Sequence, residues 1–263
     1  MTDPSGVRTL VPARCPELRV LALPHSGGRA ESFTRWAEQL RELPGAQGVE
    51  LCAVQYPGHG DRLVEEPIGD PVALAQQILP ELVVMPPAPL VIFGHSFGSV
   101  VACELARASE RVGIDLSLVA VSSAWAPGDP KRPLRREHLL PDEELWQRLV
   151  ALGGIDPAIA QESELRDLLV PVLRCDIAAH ERYLACASVT LQPLSCDLHA
   201  YLADRDPLVP VWAGGGWGRL TTGRVTTSVR AGGHFHALDD PATLLRDLTY
   251  RFDVTRSQQM RLT

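Results

Sequence analysis

The apolar positions of this chain follow two alternating periods. Leu18 to Leu23 (LRVLAL) is a short, nearly continuous apolar run that stops at Pro24, which predicts a buried strand. Phe33, Trp36, Ala37, Leu40 and Leu43 then recur at helical spacing, so Glu31 to Leu43 reads as an amphipathic helix. Val49 to Val54 predicts a second strand, stopped by Tyr56-Pro57-Gly58-His59-Gly60. Asp70-Pro71 has the form of a helix start, with Asp70 as N-cap and Pro71 at the first helical position. Leu90 to Phe93 is apolar throughout, as a parallel strand covered on both faces requires. A helix from about Phe97 to Ala108 and a buried strand from Leu116 to Val121 follow, before a loop at Ala126-Pro127-Gly128.

Strand and helix in alternation predict an α/β architecture, a mostly parallel, doubly wound sheet. The alternation breaks after Pro130. From Pro141 to about Ala187 the pattern is helical only, with Leu145, Trp146, Leu149 and then Leu165, Leu168, Leu169 at helical intervals. An all-helical insertion at about 130–187 within such a sheet is a candidate lid. Strand character returns at Asp197 to Leu202 and Val225 to Val229, and Pro241 to Phe252 predicts a final helix. With no repeat and no Gly/Ser-rich linker, residues 1–263 read as a single domain.

Composition narrows the function. The 263 residues are 45% hydrophobic, which gives material for one sizeable core and excludes a disordered chain. Lys+Arg 25 against Asp+Glu 32 leaves a formal charge of −7, without the basic field a nucleic-acid binder carries. The uncharged window from Leu82 to Cys103 contains Pro86, Pro87, Pro89 and Gly94, which a spanning helix would not tolerate together. MTDPSGVRTL lacks an apolar signal core, so a cytoplasmic protein is expected. Cys15, Cys52, Cys103, Cys175, Cys186 and Cys196 are scattered without a C-x-x-C pair, and are expected to be small core thiols. No His/Cys spacing suggests a metal, so neither metal nor cofactor is expected.

The strongest chemical signal is Gly94-His95-Ser96-Phe97-Gly98, lying between the apolar strand and a helix. This is the G-x-S-x-G turn in the context it requires, with glycines where flanking side chains would clash. It marks Ser96 as the nucleophile and the Phe97 N–H, at a helix N-terminus, as one donor to an oxyanion. A serine needs a base and an orienting acid, here expected in the chain order Ser, Asp or Glu, His. His234, in Gly232-Gly233-His234-Phe235-His236 after the last strand, is the expected base, with His236 as competitor. The acid is expected at Asp206, in Ala203-Asp204-Arg205-Asp206-Pro207, with Asp204 as the alternative. His25-Ser26-Gly27-Gly28 supplies the second oxyanion donor, assigned to the Ser26 N–H with Gly27 and His25 as lesser candidates. His25, His59 and His95 are expected to shape the site, and His138, His180 and His199 to be surface or packing residues.

With these motifs the chain resembles an α/β-hydrolase, and more narrowly a stand-alone type II thioesterase of polyketide and nonribosomal peptide biosynthesis. The resemblance spans nearly the whole chain. It rests on Leu23-Pro24-His25-Ser26-Gly27-Gly28, Gln55-Tyr56-Pro57-Gly58-His59-Gly60-Asp61-Arg62, Gly94-His95-Ser96-Phe97-Gly98, Leu173-Arg174-Cys175-Asp176 with Tyr183, and Gly232-Gly233-His234-Phe235. It implies hydrolysis of unwanted acyl groups from the phosphopantetheine thiol of an acyl or peptidyl carrier protein. Another hydrolase of this fold, acting on small free esters or peptides, is the alternative. Carrier proteins are generally acidic, so Lys131-Arg132-Pro133-Leu134-Arg135-Arg136, four cations in six residues, is expected either to dock one or to be a solvated loop.

Overall fold

The computed structural model describes residues 6–155, 157–186 and 192–259. Its centre is a seven-stranded sheet in the order β1-β3-β2-β4-β5-β6-β7. These strands are β1 (Val7–Val11), β2 (Leu18–Leu23), β3 (Val49–Val54), β4 (Leu90–His95), β5 (Leu116–Ser122), β6 (Asp197–Ala203) and β7 (Val225–Arg230). All neighbours run parallel except β1, which is antiparallel to β3. The helices are α1 (Thr34–Glu42), α2 (Pro71–Val84), α3 (Phe97–Arg111), α4 (Asp142–Leu152), α5 (Pro157–Ala160), α6 (Ser163–Cys186), α7 (His236–Asp239) and α8 (Pro241–Gln259).

The continuous apolar runs follow from burial on both sheet faces. In β4, Leu90 and Ile92 join the core beneath α2 and α3, whereas Val91 and Phe93 join the core beneath α1 and α8. Trp36 of α1 locks that second layer, its indole N–H donating to Ala237 O at 2.8 Å. Asp70 caps α2 as expected, its Oδ1 accepting from the Val72 N–H at 3.0 Å. The helical insertion has a small core of its own, built from Leu145, Trp146, Val170, Leu173 and Ile177.

Four features differ from the sequence reading. β1 was not expected: it is a five-residue edge strand with one half-solvated face, too short to show a period. The helix expected from Glu31 begins as a 3-10 turn, Ala30–Phe33, before α1 proper. The helical stretch expected from Pro141 is divided into α4, α5 and α6, where Gly153 adopts a left-handed φ of 88° and ends α4. Its expected end at Ala187 lies outside the described residues. Of the cysteines, Cys52 and Cys103 are buried as core thiols, Cys175 and Cys196 are half-buried, and Cys15 is exposed. Cys15 lies in a polar loop before β2 that no layer covers; the Cys186 side chain lies outside the described residues.

Strand order positions the chemistry. After β2 the chain turns to one side for β3, then crosses back to place β4 on the other flank of β2. The ends of β2 and β4 therefore lie side by side at a topological switch point, where α/β sheets bind ligands. Leu23 is in register with Gly94, so the loop after β2 and the turn after β4 start from the same level of the sheet.

Candidate active site

Ser96 occupies a backbone conformation that an ordinary residue avoids, with φ 52° and ψ −116°. The turn closes only because its flanking residues lack side chains. A Cβ on Gly94 would lie 2.2 Å from Gly98 O, and one on Gly98 would lie 2.3 Å from Leu23 O. The Ser99 hydroxyl, inside the first turn of α3, fastens the elbow by donating to Gly94 O at 2.8 Å. Gly98→Ala is therefore expected to cost more than about 3 kcal/mol, because its methyl meets backbone on adjoining β2. A large fall in Tm or loss of soluble protein checks this; an unchanged Tm would show that the elbow has slack.

From this elbow a chain of hydrogen bonds runs through two further loops at the same sheet edge. His234 Nε2 lies 3.0 Å from Ser96 Oγ, and His234 Nδ1 lies 2.9 Å from Asp206 Oδ2. The carboxylate accepts only, so the imidazole carries its proton on Nδ1 and turns the Nε2 lone pair to the serine hydroxyl. The His234 and Asp206 side chains are 2% and 0% exposed, so water competes little for these bonds. Asp206 Oδ1 also accepts from the N–H groups of Leu208 at 2.8 Å and Val209 at 3.2 Å. Burial disfavours its charge, but the His234 and Leu208 donors outweigh that and hold the carboxyl below its ordinary value.

The competitors are engaged elsewhere. Asp204 Oδ1 accepts from the Gly232 N–H at 2.8 Å and so ties the β6 turn to the His234 loop. His236 Nε2 lies 3.1 Å from Ser122 Oγ, which is also 3.1 Å from His95 Nδ1. Burial pushes His236 down to about 4 and His95 well below the ordinary histidine value, so both are neutral packing rings behind the triad.

Two backbone N–H groups near the elbow lack a protein acceptor among the described residues: that of Phe97, which follows Ser96 directly, and that of Ser26, which lines the same cavity as Ser96. Phe97 is the first residue of α3, whose N–H cannot be used by the helix. Gly27, a lesser candidate for the same role, has its N–H taken by Asp176 Oδ2 at 2.7 Å.

The matched sequence family is the thioesterase domain, over residues 19–251. The chain belongs to that family. Thioesterase PikA5 of Streptomyces venezuelae is 35% identical over 257 residues, which is 95% of this chain and 86% of the relative. The solved structure of the type II thioesterase BorB from the borrelidin biosynthetic cluster matches with a TM-score of 0.82 at 34% identity, covering 95% of this chain and 100% of that one. RedJ, the thioesterase from the prodiginine biosynthetic pathway in Streptomyces coelicolor, matches with a TM-score of 0.77 at 31% identity, covering 92% and 95% of the two chains. These likenesses bear out the α/β-hydrolase fold, the hydrolase class and the resemblance to type II thioesterases.

In this thioesterase, Ser96, His234 and Ser26 line a cavity of about 110 Å³ beneath the helical insertion. Its lining includes the apolar Trp125, Leu149, Ile177, Leu184, Leu208 and Val209, and the polar Arg132, Arg135, Glu137, His180 and Glu181. His180 is a packing residue, as one of its two expected roles has it, and it also lines the cavity. It lies against Phe97, with ring centroids 5.9 Å apart, and burial pushes it down to about 3. Only the return of α6 over the sheet brings it there, which helical spacing does not reveal. His138 and His199 are packing residues, bonded to Glu181 and Thr226 respectively. His25 lines the cavity, His95 ends β4, and His59 is buried against Asp176 away from it. The basic cluster divides: Lys131 and Arg136 are exposed, whereas Arg132 and Arg135 face the cavity and Arg135 pairs with Glu137 at 3.1 Å.

No helix among the described residues is long and apolar enough to cross a membrane. No group of three or more His, Cys, Asp or Glu among them is arranged to hold a metal ion.

Proposed function

We propose that this thioesterase removes acyl groups from the phosphopantetheine thiol of acyl or peptidyl carrier proteins, clearing aberrant or stalled chains from a polyketide or nonribosomal peptide synthase in the cytoplasm. The observation that carries the reading is a Ser96–His234–Asp206 chain opening on an apolar cavity beside two unpartnered N–H groups. The names of BorB and RedJ, each tied to a biosynthetic cluster or pathway, support the synthase context.

In the first half-reaction Ser96 Oγ attacks the thioester carbonyl and His234 Nε2 takes its proton. The oxyanion forms against the Ser26 and Phe97 N–H groups, while Asp206 balances the imidazolium. Collapse breaks the C–S bond; the pantetheine sulfur leaves with the proton returned by His234, and the acyl group stays on Ser96. Water then attacks the acyl-serine with His234 again as base, and the free acid departs. These steps use the side chains, two backbone N–H groups and water, with no cofactor of the enzyme. The apolar lining residues hold the acyl chain, and α4 to α6 act as the lid over it.

A direct test compares acyl-loaded carrier protein with a simple oxygen ester of the same acyl group. Faster hydrolysis of the carrier thioester supports the reading; preference for the free ester would favour a small-molecule esterase.

Docking is assigned to the exposed cations Lys131 and Arg136, which flank the cavity-lining Arg132 and Arg135 in the chain. Steering by such charges acts on association and weakens as salt rises. Reversing both to Glu is expected to raise KM for the carrier substrate by about tenfold or less at low salt, with hydrolysis of a small thioester unchanged. Equal effects on both substrates would remove the docking role.

A further inference from the structure

Helix α6 reaches the loop after β2 through two side chains. Leu173 covers Gly27, where a Cβ would lie 2.1 Å from Leu173 Cδ2. Asp176, one helical turn on and 1% exposed, places Oδ2 2.7 Å from the Gly27 N and 2.9 Å from His59 Nε2. The loop is a tight turn in which the Gly28 N–H donates to His25 O at 2.8 Å and Gly27 has φ +70°. Its central peptide, between Ser26 and Gly27, could rotate if left unheld. The Asp176 carboxylate captures one side of that peptide and fixes the direction of the neighbouring Ser26 N–H.

The partner of Asp176 sets the charge of this lock. His59 is 4% exposed, and its second ring nitrogen, Nδ1, lies 2.8 Å from Pro57 O. A carbonyl and a carboxylate both only accept, so two ring nitrogens at these distances require two N–H donors. A neutral ring has one, and would turn a lone pair on Pro57 O or on Asp176. The geometry therefore calls for an imidazolium. Around it stand Arg62, whose charge opposes the proton but is held by Glu65 at 2.6 and 2.7 Å, and the Tyr56 ring, 5.7 Å away. His25, pushed down to about 3 by burial, is neutral, and the Cys175 thiol beside Asp176 is raised, so neither competes. Burial works against the His59 charge, but the bond to Asp176 outweighs it and keeps His59 above the ordinary histidine value.

We propose that Asp176 is a positioning residue for the oxyanion hole and that the His59 imidazolium locks it there, giving hydrolysis an alkaline limit set by His59 rather than by the triad. The proposal rests on Ser26 as an oxyanion donor. Below its raised pKa, His59 is charged and the lock is closed. As pH rises through that value the positive charge leaves, and the ring keeps one N–H where Asp176 and Pro57 O need two. The buried carboxylate is then uncompensated, and its charge stands beside the place where the oxyanion develops.

The test measures kcat and KM for a small acyl thioester, corrected for spontaneous hydrolysis, from acidic to alkaline pH. The wild type is expected to show an alkaline fall in kcat. His59→Arg keeps the positive charge and should lose that fall while retaining activity. Asp176→Asn should lower kcat by about tenfold to a hundredfold where the wild-type lock is closed, with a smaller change in KM, and the gap should narrow as the wild type falls at alkaline pH. Nitrogen-15 NMR of the wild-type histidines, which needs no variant to fold, should find both His59 nitrogens protonated at neutral pH. A neutral His59, or the same alkaline fall in His59→Arg as in the wild type, overturns the proposal. Ser96→Ala, run beside them, separates the two ideas: if it stays active the triad reading fails, and if it is dead the His59 result judges this proposal alone.

Discussion

Ser96→Ala is expected to lower the hydrolysis rate by about 10⁴- to 10⁶-fold, with the fold and Tm little changed. Among the described residues the hydroxyl makes one hydrogen bond, to His234 Nε2 at 3.0 Å, so its removal leaves only that ring nitrogen, on a residue lining the cavity, without a partner. What disappears is the route through an acyl-enzyme, and the residual rate measures only binding and the two N–H donors. A serine-directed phosphonate should label the wild type at Ser96 and leave the variant unlabelled. Labelling at Ser26, whose hydroxyl also borders the cavity, would reverse the assignment of nucleophile and oxyanion loop.

Asp206→Asn is expected to reduce kcat by about 10⁴-fold, against less than about tenfold for Asp204→Asn. An amide at 206 presents either an oxygen or an N–H to His234 Nδ1. Leu208 and Val209 already donate to the other side-chain position, at 2.8 and 3.2 Å, so the amide oxygen is drawn there and its NH₂ turns to the imidazole. His234 must then accept on Nδ1 and carry its proton on Nε2, which faces Ser96 with the wrong polarity. Asp204 does a structural task, receiving the Gly232 N–H at 2.8 Å, and an amide oxygen can do the same. Circular dichroism and kcat for both variants check this. Equal losses in two folded proteins would remove Asp206 from the acid's role.

The parts that local sequence could disclose are those whose cause is local. β4 and its elbow were legible because burial on both faces demands an apolar run, and the Gly94–Gly98 approach demands glycine at both places. Asp206 and Asp204 share one turn, and both make a hydrogen bond to the His234 loop, so spacing alone left the choice open. The contact between Asp176 and Gly27 joins residues 149 apart, and no local period reports it. The same holds for His180, which became a cavity residue only when α6 folded back over Phe97. The edge strand β1 was hidden for a different reason: an edge strand buries too little to need a pattern.

The central claim is that acyl chains leave a carrier protein through a covalent stop on Ser96. The most direct measurement mixes the enzyme with acyl-phosphopantetheinyl carrier protein, quenches at early times, and follows the acyl mass on both proteins. The acyl mass should pass from the carrier to the peptide containing Ser96 and then to free acid, leaving the carrier with its pantetheine thiol intact. A carrier that keeps its acyl group while an oxygen ester of the same acid is cleaved, or an acyl mass found on any residue other than Ser96, would contradict the account.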